Sequence, residues 1–349
     1  MGKKVLMKGN EALAEAAIRS GCRFYFGYPI TPQTELAEYM AKHLPKAGGT
    51  FLQAESEIAA ISMVYGTSAA GKRVMTSSSS PGISLKQEGI SYLAGSNLPA
   101  VIVNVQRGGP GLGGIQPSQS DYFQAVKGGG HGDYHLIVLA PSTVQEMADL
   151  TFLAFDLADK YRVQTMILAD GTVGQMMEPV ELPEPVQKEF DKPWALRGKG
   201  EGPSKFITSL SLSPEELEQW NINNFRKYAA ISAAEQRAEE FMTEDADICV
   251  VAFGISARVA RNAVLAAREK GIKAGLIRPI TLYPFPVEAM KRAATHVKAF
   301  ISAELNMGQM IEDIKLSIDC SRPVTLCSRT GGVILTPEEV LEAIEKVQL

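Results

Sequence analysis

The chain has 349 residues, 45% hydrophobic and 21% charged, the proportions of an ordinary globular protein with enough length for two domains. A formal net charge of -4 gives no general attraction to nucleic acid or to an acidic membrane surface, since both need clustered Lys and Arg. Cys22, Cys249, Cys320 and Cys327 lack the close spacing that converges thiolates on one metal, so inert thiols are expected and iron-sulfur or zinc sites are not.

The opening MGKKVLMKGNEALAEAA is basic at first, then polar and amphipathic, without the apolar core of a signal peptide. No apolar run approaches the roughly 20 residues of a membrane span, and a cytoplasmic protein is expected. From Lys8 to about Val180, helical periodicity in EALAEAAIRSG and TELAEYMAKHL alternates with β-rich runs. These are RFYFGY, KRVMTSS, AVIVNVQ, HLIVLA and QTMILAD. Most are apolar on both sides, the pattern of central parallel strands, so the first domain is expected to be a parallel α/β sheet.

From Glu181 to about Glu240 the composition turns to Pro, Gly and charge in ELPEPVQKEFDKPWALRGKGEGPS, followed by a polar helix containing AAISAAEQRAEEF. This reads as a connector wrapping the surface. A second alternation follows: DICVVAFG, SARVARNAVLAAREKG, KAGLIRPITLYPFP, PVEAMKRAATHV, KAFISAELN, MGQMIEDIKLSI and PVTLCSR. It predicts a smaller doubly wound α/β domain of about a hundred residues. The expected divisions are 1–185, 186–243 and 244–349.

Four segments could carry chemistry. GYPITPQTE, Gly27 to Glu35, is a loop stiffened by Pro29 and Pro32 that presents Thr31 and Thr34 in defined directions. It falls after a strand, where parallel sheets form their ligand crevice; the plainer alternative is a turn with Thr34 capping the next helix. In QAESEIAAISMV, Glu55 and Glu57 precede an apolar, small-residue helix. A glutamate there sits in low dielectric, which raises its pKa unless a partner compensates; the commoner role is complementing the helix dipole.

TSSSSPGISLKQE, Thr76 to Glu88, reads as a strand, a hydroxyl-rich Pro-Gly turn and a helix, able to shape a cofactor cleft or simply to turn the chain. It is no P-loop, lacking the Gly-Lys-Ser/Thr ending. VQRGGPGLGGIQPSQSDYFQAVKGGGHGD places Arg107 directly after an apolar strand, ahead of a glycine-dense flap. Arg is the side chain best suited to clamp a carboxylate at two points. His131, Asp133 and His135 sit within five positions of a Gly-rich loop, where ligand geometry is unanchored, and are read as polar loop residues.

In this order, GYPITPQTE, a Glu-initiated Ala-rich helix, AAGKRVMTSSSSPG and VQRGGPG resemble the pyrimidine-binding subunit of 2-oxoacid:ferredoxin oxidoreductases. IRPITLYPFP and ISAELNMGQM extend the likeness to that subunit's second domain. The resemblance implies two α/β domains, a thiamin-diphosphate-binding pyrimidine-type parallel-sheet domain and a transketolase-C-terminal-like domain. It implies oxidative decarboxylation of a 2-oxoacid to acyl-coenzyme A and CO2, with electrons passed through iron-sulfur clusters to ferredoxin.

Position by position, Glu57 matches the glutamate that hydrogen-bonds the aminopyrimidine N1′ and favours the tautomer that removes the thiazolium C2 proton. Glu55 is its competitor two residues earlier. Thr31 and Arg107 match the residues that hold the substrate carboxylate. Tyr28, Pro29, Ile30, Ser79 and Gly82 complete the implied cofactor-binding set with Glu57.

The Gly-Asp-Gly and later Asn that bind diphosphate and Mg²⁺ in thiamin-diphosphate enzymes are missing; Ala169-Asp170-Gly171 and Gly132-Asp133 lack that context. The resemblance therefore implies that a thiamin-diphosphate-binding beta subunit supplies Mg²⁺ and the other half of the cleft. Ferredoxin-like gamma and delta subunits would carry the iron-sulfur clusters, with coenzyme A as cosubstrate and no nucleic acid or membrane partner. LKQEG departs from the apolar-Met pair often seen in the family, and the flap is closer to the branched-chain 2-oxoisovalerate type than to 2-oxoglutarate relatives. Half of a non-redox thiamin-diphosphate lyase or transketolase-like enzyme is the alternative.

Overall fold

The computed structural model describes residues 4–186, 190–198 and 204–347. Its first part runs β1 (Val5–Lys8), α1 (Gly9–Arg19), β2 (Phe24–Gly27), α2 (Thr34–His43), β3 (Thr50–Gln53), α3 (Glu57–Ala69), β4 (Val74–Ser78), α4 (Ser80–Gly95), β5 (Ala100–Gln106), α5 (Tyr122–Val126), β6 (Ile137–Leu139), α6 (Val144–Tyr161), β7 (Gln164–Asp170), α7 (Gly171–Gln175) and β8 (Met177–Val180). The rest comprises α8 (Pro214–Ala234), β9 (Ala238–Phe241), β10 (Ile248–Ala252), α9 (Gly254–Glu269), β11 (Ala274–Pro279), β12 (Thr281–Tyr283), α10 (Val287–Ala294), β13 (Ala299–Glu304), α11 (Met310–Ser317), β14 (Val324–Ser328) and α12 (Pro337–Glu345).

The larger sheet has the order β12-β6-β7-β5-β4-β2-β3. All its pairs are parallel except β12 with β6. Strands β4, β5 and β7 are buried at every position, as continuous apolar and small-residue runs covered by helices on both faces require. The second sheet, β14-β13-β10-β11-β9, is parallel except for the edge strand β9. Strand β1 pairs antiparallel with β8.

Several local expectations are corrected. The stretch AAISAAEQRAEEF is not one helix: α8 stops at Ala234, and Ala238–Phe241 is the antiparallel edge strand beside β11. The expected Pro-Gly turn after TSSSS does not form, because Ser79 is the N-cap and Pro81 and Gly82 lie in the first turn of α4, where proline's missing N–H costs nothing. Thr34 is the first residue of α2 and not its cap, a place taken by Gln33. IRPITLYPFP is split, β11 serving the second sheet and β12 the first.

Residues 187–189 and 199–203 of the Pro- and Gly-rich connector lie outside the described residues. The part that is described packs on the first sheet's helices. The buried Arg73 guanidinium lies 3.6 Å from the Phe190 ring centroid and pairs with Asp156 and Asp159, and Leu196 N donates to Ala69 O at 2.9 Å. Among the described residues no helix is long and apolar enough to cross a membrane.

Candidate active site

The carboxyl ends of β2, β3, β4 and β5 deliver the candidate segments to one end of the larger sheet. After β3, Ser56 caps α3 by accepting a hydrogen bond from Ala59 N at 3.2 Å, which fixes Glu57 as the first helical residue. Glu57 is buried, at 6% exposure, whereas Glu55 is exposed. Among the described residues no hydrogen-bonding partner reaches the Glu57 carboxylate, which leaves it available to a ligand.

Helix α4 forms the wall beside Glu57. A Cβ built on Gly82 would lie 2.1 Å from Ser78 Oγ and 2.6 Å from Glu57 Oε1, so only glycine lets the carboxylate lie against the helix. The hydroxyls of Ser78 and Ser79 are buried without a hydrogen-bonding partner. Buried hydroxyls are normally paired, and two orphans beside a free carboxylate form a lining suited to a polar heterocycle. An aminopyrimidine ring, with its donor and acceptor edges, fits this donor set.

The proline loop and flap form a second grouping. Tyr28 and Pro29 are exposed, Ile30 is half-buried and Thr31 is exposed; Gln33, fully buried, donates from Nε2 to the Tyr28 carbonyl at 3.3 Å and accepts from Ser77 Oγ at 2.6 Å. Arg107 is buried and donates from Nη1 to the Thr31 carbonyl and from Nη2 to the Leu112 carbonyl, each at 3.1 Å. Both terminal nitrogens are thus engaged with main chain, and Nε is the donor left without a partner. Arg107 ties the proline loop to the flap, and Thr31 lines a cavity of about 420 Å³ with Pro32, Ile115, Pro117, Thr172 and Met176.

Ser80 joins the two groupings. Its hydroxyl accepts from Arg107 N at 3.1 Å and donates to Asp121 Oδ2 at 2.6 Å, an oxygen that also accepts from Asn104 Nδ2. Burial pushes the Asp121 carboxyl up, against the pull of the Ser80 and Asn104 bonds.

The loop histidines lie elsewhere. His135 stacks on Tyr283 at 4.2 Å between ring centroids, and burial pulls its pKa down. His131 and Asp133 line a separate cavity with Trp220. Asp170, set aside as a metal ligand for want of context, caps α7 and bonds α9. Among the described residues no cluster of three or more His, Cys, Asp or Glu could hold a metal. The sequence does not single out Gln33, Ser78, Lys86 or Asp121 individually; the LKQEG string that contains Lys86 stands out only as a departure from the family pattern.

Comparison with known proteins agrees along the length of the chain. Residues 15–245 match the pyruvate flavodoxin/ferredoxin oxidoreductase thiamine-diphosphate-binding model, and residues 246–340 match core domain II of pyruvate:ferredoxin oxidoreductase. The ketoisovalerate oxidoreductase subunit VorB of Methanothermobacter marburgensis is 54% identical over 98% of this chain and 97% of its own. The 2-oxoglutarate synthase subunit KorA of Methanocaldococcus jannaschii is 40% identical over 98% and 99%.

Among solved structures, the 2-oxoglutarate:ferredoxin oxidoreductase of Magnetococcus marinus, with 2-oxoglutarate, coenzyme A and succinyl-CoA bound, superposes with a TM-score of 0.87 at 30% identity. It covers 99% of this chain, which spans 65% of that longer chain. A split-gene transketolase, at 16% identity and a TM-score of 0.61, shares the fold. With matches to family models from residue 15 to residue 340, this chain belongs to the thiamin-diphosphate-binding subunits of the 2-oxoacid:ferredoxin oxidoreductases.

Proposed function

We propose that this chain supplies the activating acid and the oxoacid-binding side of a 2-oxoacid:ferredoxin oxidoreductase that forms acyl-coenzyme A and CO2. The observation that carries this reading is the buried, unpartnered Glu57 carboxylate held against Gly82 at the start of α3. Glu57 would hold the aminopyrimidine nitrogen of thiamin diphosphate, with Gly82 as the wall and Ser78 and Ser79 as available hydrogen-bonding groups. Tyr28, Pro29 and Ile30 belong to the same cofactor-facing loop. When bound, the cofactor supplies the nucleophilic carbon that decarboxylation of a 2-oxoacid needs.

Thr31 and Arg107 would orient the substrate carboxylate, Arg107 through Nε and by holding the loop and flap in place. The substrate class favoured is a branched-chain 2-oxoacid such as 2-oxoisovalerate. The cavity beside Thr31 has a mixed wall, Pro32, Ile115, Pro117 and Met176 with Gln116, Thr172 and Gln175, and among the described residues it holds no Lys or Arg that would pair with a second carboxylate. The higher identity to the ketoisovalerate relative points the same way.

On this reading residues 1–185 are the pyrimidine-binding domain, 186–243 the connector and 244–349 the second domain. A beta subunit binds the diphosphate and Mg²⁺, ferredoxin-like gamma and delta subunits carry the iron-sulfur clusters, and ferredoxin is the acceptor.

The test is coenzyme-A-dependent viologen reduction by the chain co-expressed with its partner subunits, using 2-oxoisovalerate, 2-oxoglutarate and pyruvate, with and without thiamin diphosphate. Cofactor-dependent activity strongest with 2-oxoisovalerate is expected, and Glu57→Gln should lower kcat at least about a hundredfold while assembly survives. Wild-type turnover in that variant would remove Glu57 from the mechanism. No viologen reduction by a cofactor-loaded complex would favour a non-redox lyase.

A further inference from the structure

The second domain touches the base of the flap through one turn. After β14, Val333 N donates to the Thr330 carbonyl at 3.3 Å, closing a turn over Gly331 and Gly332, which stand at φ +67 and +97, where glycine alone is free of strain. A Cβ built on Gly332 would lie 2.4 Å from Gln116 Cβ, 3.1 Å from its Cγ and 3.6 Å from its Cα, and one built on Gly108 would lie 3.7 Å from Gly332 N. A Cβ on Gly331 would meet nothing within 4 Å. The two glycines therefore share a backbone constraint, but only the second is pressed against the flap.

Gln116 has little room to give way. Its carbonyl accepts from Gly108 N at 2.9 Å, and the next residue, Pro117, forms a β-bridge with Arg107, whose guanidinium holds the Thr31 and Leu112 carbonyls. Beyond the bridge, Gln119 N donates to the Leu305 carbonyl at 3.0 Å and Asn306 Nδ2 to the Gln119 carbonyl at 2.9 Å. The flap base is thus tied at both ends, and Ile115, Gln116 and Pro117 wall the cavity that Thr31 lines. A side chain at position 332 would meet Gln116 at its Cβ, which cannot move without the main chain, and the displacement would pass into that wall.

We propose that Gly332 is a positioning residue for the oxoacid pocket: its bare Cα lets the second domain seat the flap base, and so sets how closely Ile115 and Pro117 approach Thr31. The proposal rests on the reading of the Thr31 cavity as the place of the 2-oxoacid.

Gly332→Ala, Gly331→Ala, Gln116→Gly and the Gly332→Ala/Gln116→Gly double variant are made in the chain co-expressed with its partner subunits. Four readouts are taken: kcat and KM for 2-oxoisovalerate, thiamin diphosphate affinity by calorimetry, and melting temperature. Both alanine variants force a side chain on a left-handed residue and should melt a few degrees lower. Gly332→Ala alone should raise KM about tenfold, with cofactor affinity changed less than about twofold, whereas Gly331→Ala keeps KM within about twofold of wild type. Gln116→Gly removes the atoms the new methyl meets, so the double variant should return to the KM of Gln116→Gly alone, as residues in contact are non-additive.

A wild-type KM in Gly332→Ala, equal KM rises in the two alanine variants, or KM losses that multiply in the double variant overturn the positioning role. Thr31→Val tests the pocket itself in the same assay. A wild-type KM there overturns the oxoacid reading of the cavity and the positioning role together; a raised KM there with a wild-type KM in Gly332→Ala overturns the positioning role alone. Should Gly332→Ala fail to assemble, Gln116→Val is read in its place. It crowds the same contact from the flap side with a smaller side chain and no left-handed residue changed, and a wild-type KM overturns the proposal where a raised one upholds it.

Discussion

Asp170 Oδ2 accepts the backbone N–H of Ile255 at 2.8 Å while its Oδ1 accepts that of Val173 at 3.0 Å, so one carboxylate at the end of β7 holds the first turns of both α7 and α9. The contact is reinforced by Gln119. Its Nε2 donates to the Phe253 carbonyl, and its Oε1 accepts from Ser256 Oγ and Leu305 N. Gly254, at φ +56, permits the approach, since a Cβ there would lie 2.5 Å from Asp170 Oδ2. Together with β12 pairing on β6, these bonds hold the two sheets in a fixed relation.

Asp170→Asn should weaken that relation, because the amide keeps one acceptor and turns an N–H₂ toward a main-chain N–H. The expected loss is on the order of 1–3 kcal/mol, the cost of a buried donor left unsatisfied. A urea titration of the purified complex measures it. A midpoint equal to the wild type would mean that the domains are held by other contacts.

The sheets were legible in the sequence because AVIVNVQ and QTMILAD are apolar on both faces, and a run of that kind has few places to go other than a central parallel strand. The motif order singles out Glu57 and Thr31, whose roles belong to the proposed function. The rest depended on long-range partners. EQRAEEF has the Ala, Glu and Arg of a helix, yet the open edge of β11 takes its Ala238–Phe241 as a strand, a tertiary override of local propensity. Nothing in ITLYPFP says which sheet Thr281–Tyr283 joins. Lys86 reads as a solvated helix charge until β4 is seen to close over it.

Arg107 offers a test of whether charge or the fork matters. Its two Nη groups hold the Thr31 and Leu112 carbonyls, a span a lysine ammonium cannot reproduce with fixed geometry. Arg107→Ala should raise KM for the 2-oxoacid about tenfold or more, and Arg107→Lys should recover only part of this. Steady-state kinetics on both variants decide it; a wild-type KM in Arg107→Lys would reduce the role to simple charge.

Lys86 predicts a pH signature in stability. Its folded-state pKa is lowered from 10.5 to about 7, so between these values the unfolded chain binds more protons than the folded one. Stability contributed by this site therefore rises with pH across that window, and below it the burial penalty of the charged lysine is fully present. Lys86→Met lacks the penalty. Its melting temperature relative to wild type should be highest at about pH 6.5 and fall steadily toward about pH 9.5, as read by calorimetry; a pH-independent difference would show that Lys86 is not titrating in this range.

Gly82→Ala separates folding from function at the site. In a helix interior alanine is favoured over glycine by roughly 1 kcal/mol, and Gly82 lies in the first turn of α4 with a negative φ, so the backbone itself accepts the change. The new methyl, however, would stand 2.1 Å from Ser78 Oγ and 2.6 Å from Glu57 Oε1, far inside contact distance, so the Ser78 hydroxyl and the Glu57 carboxyl must both shift. Gly82→Ala should therefore keep a melting temperature within a few degrees of wild type while thiamin diphosphate affinity falls about tenfold or more, a loss of roughly 1.4 kcal/mol. Calorimetric titration of the assembled complex measures the affinity. Unchanged binding would mean that the Gly82 wall does not border the cofactor, and the cleft would have to be sought on the other side of Glu57.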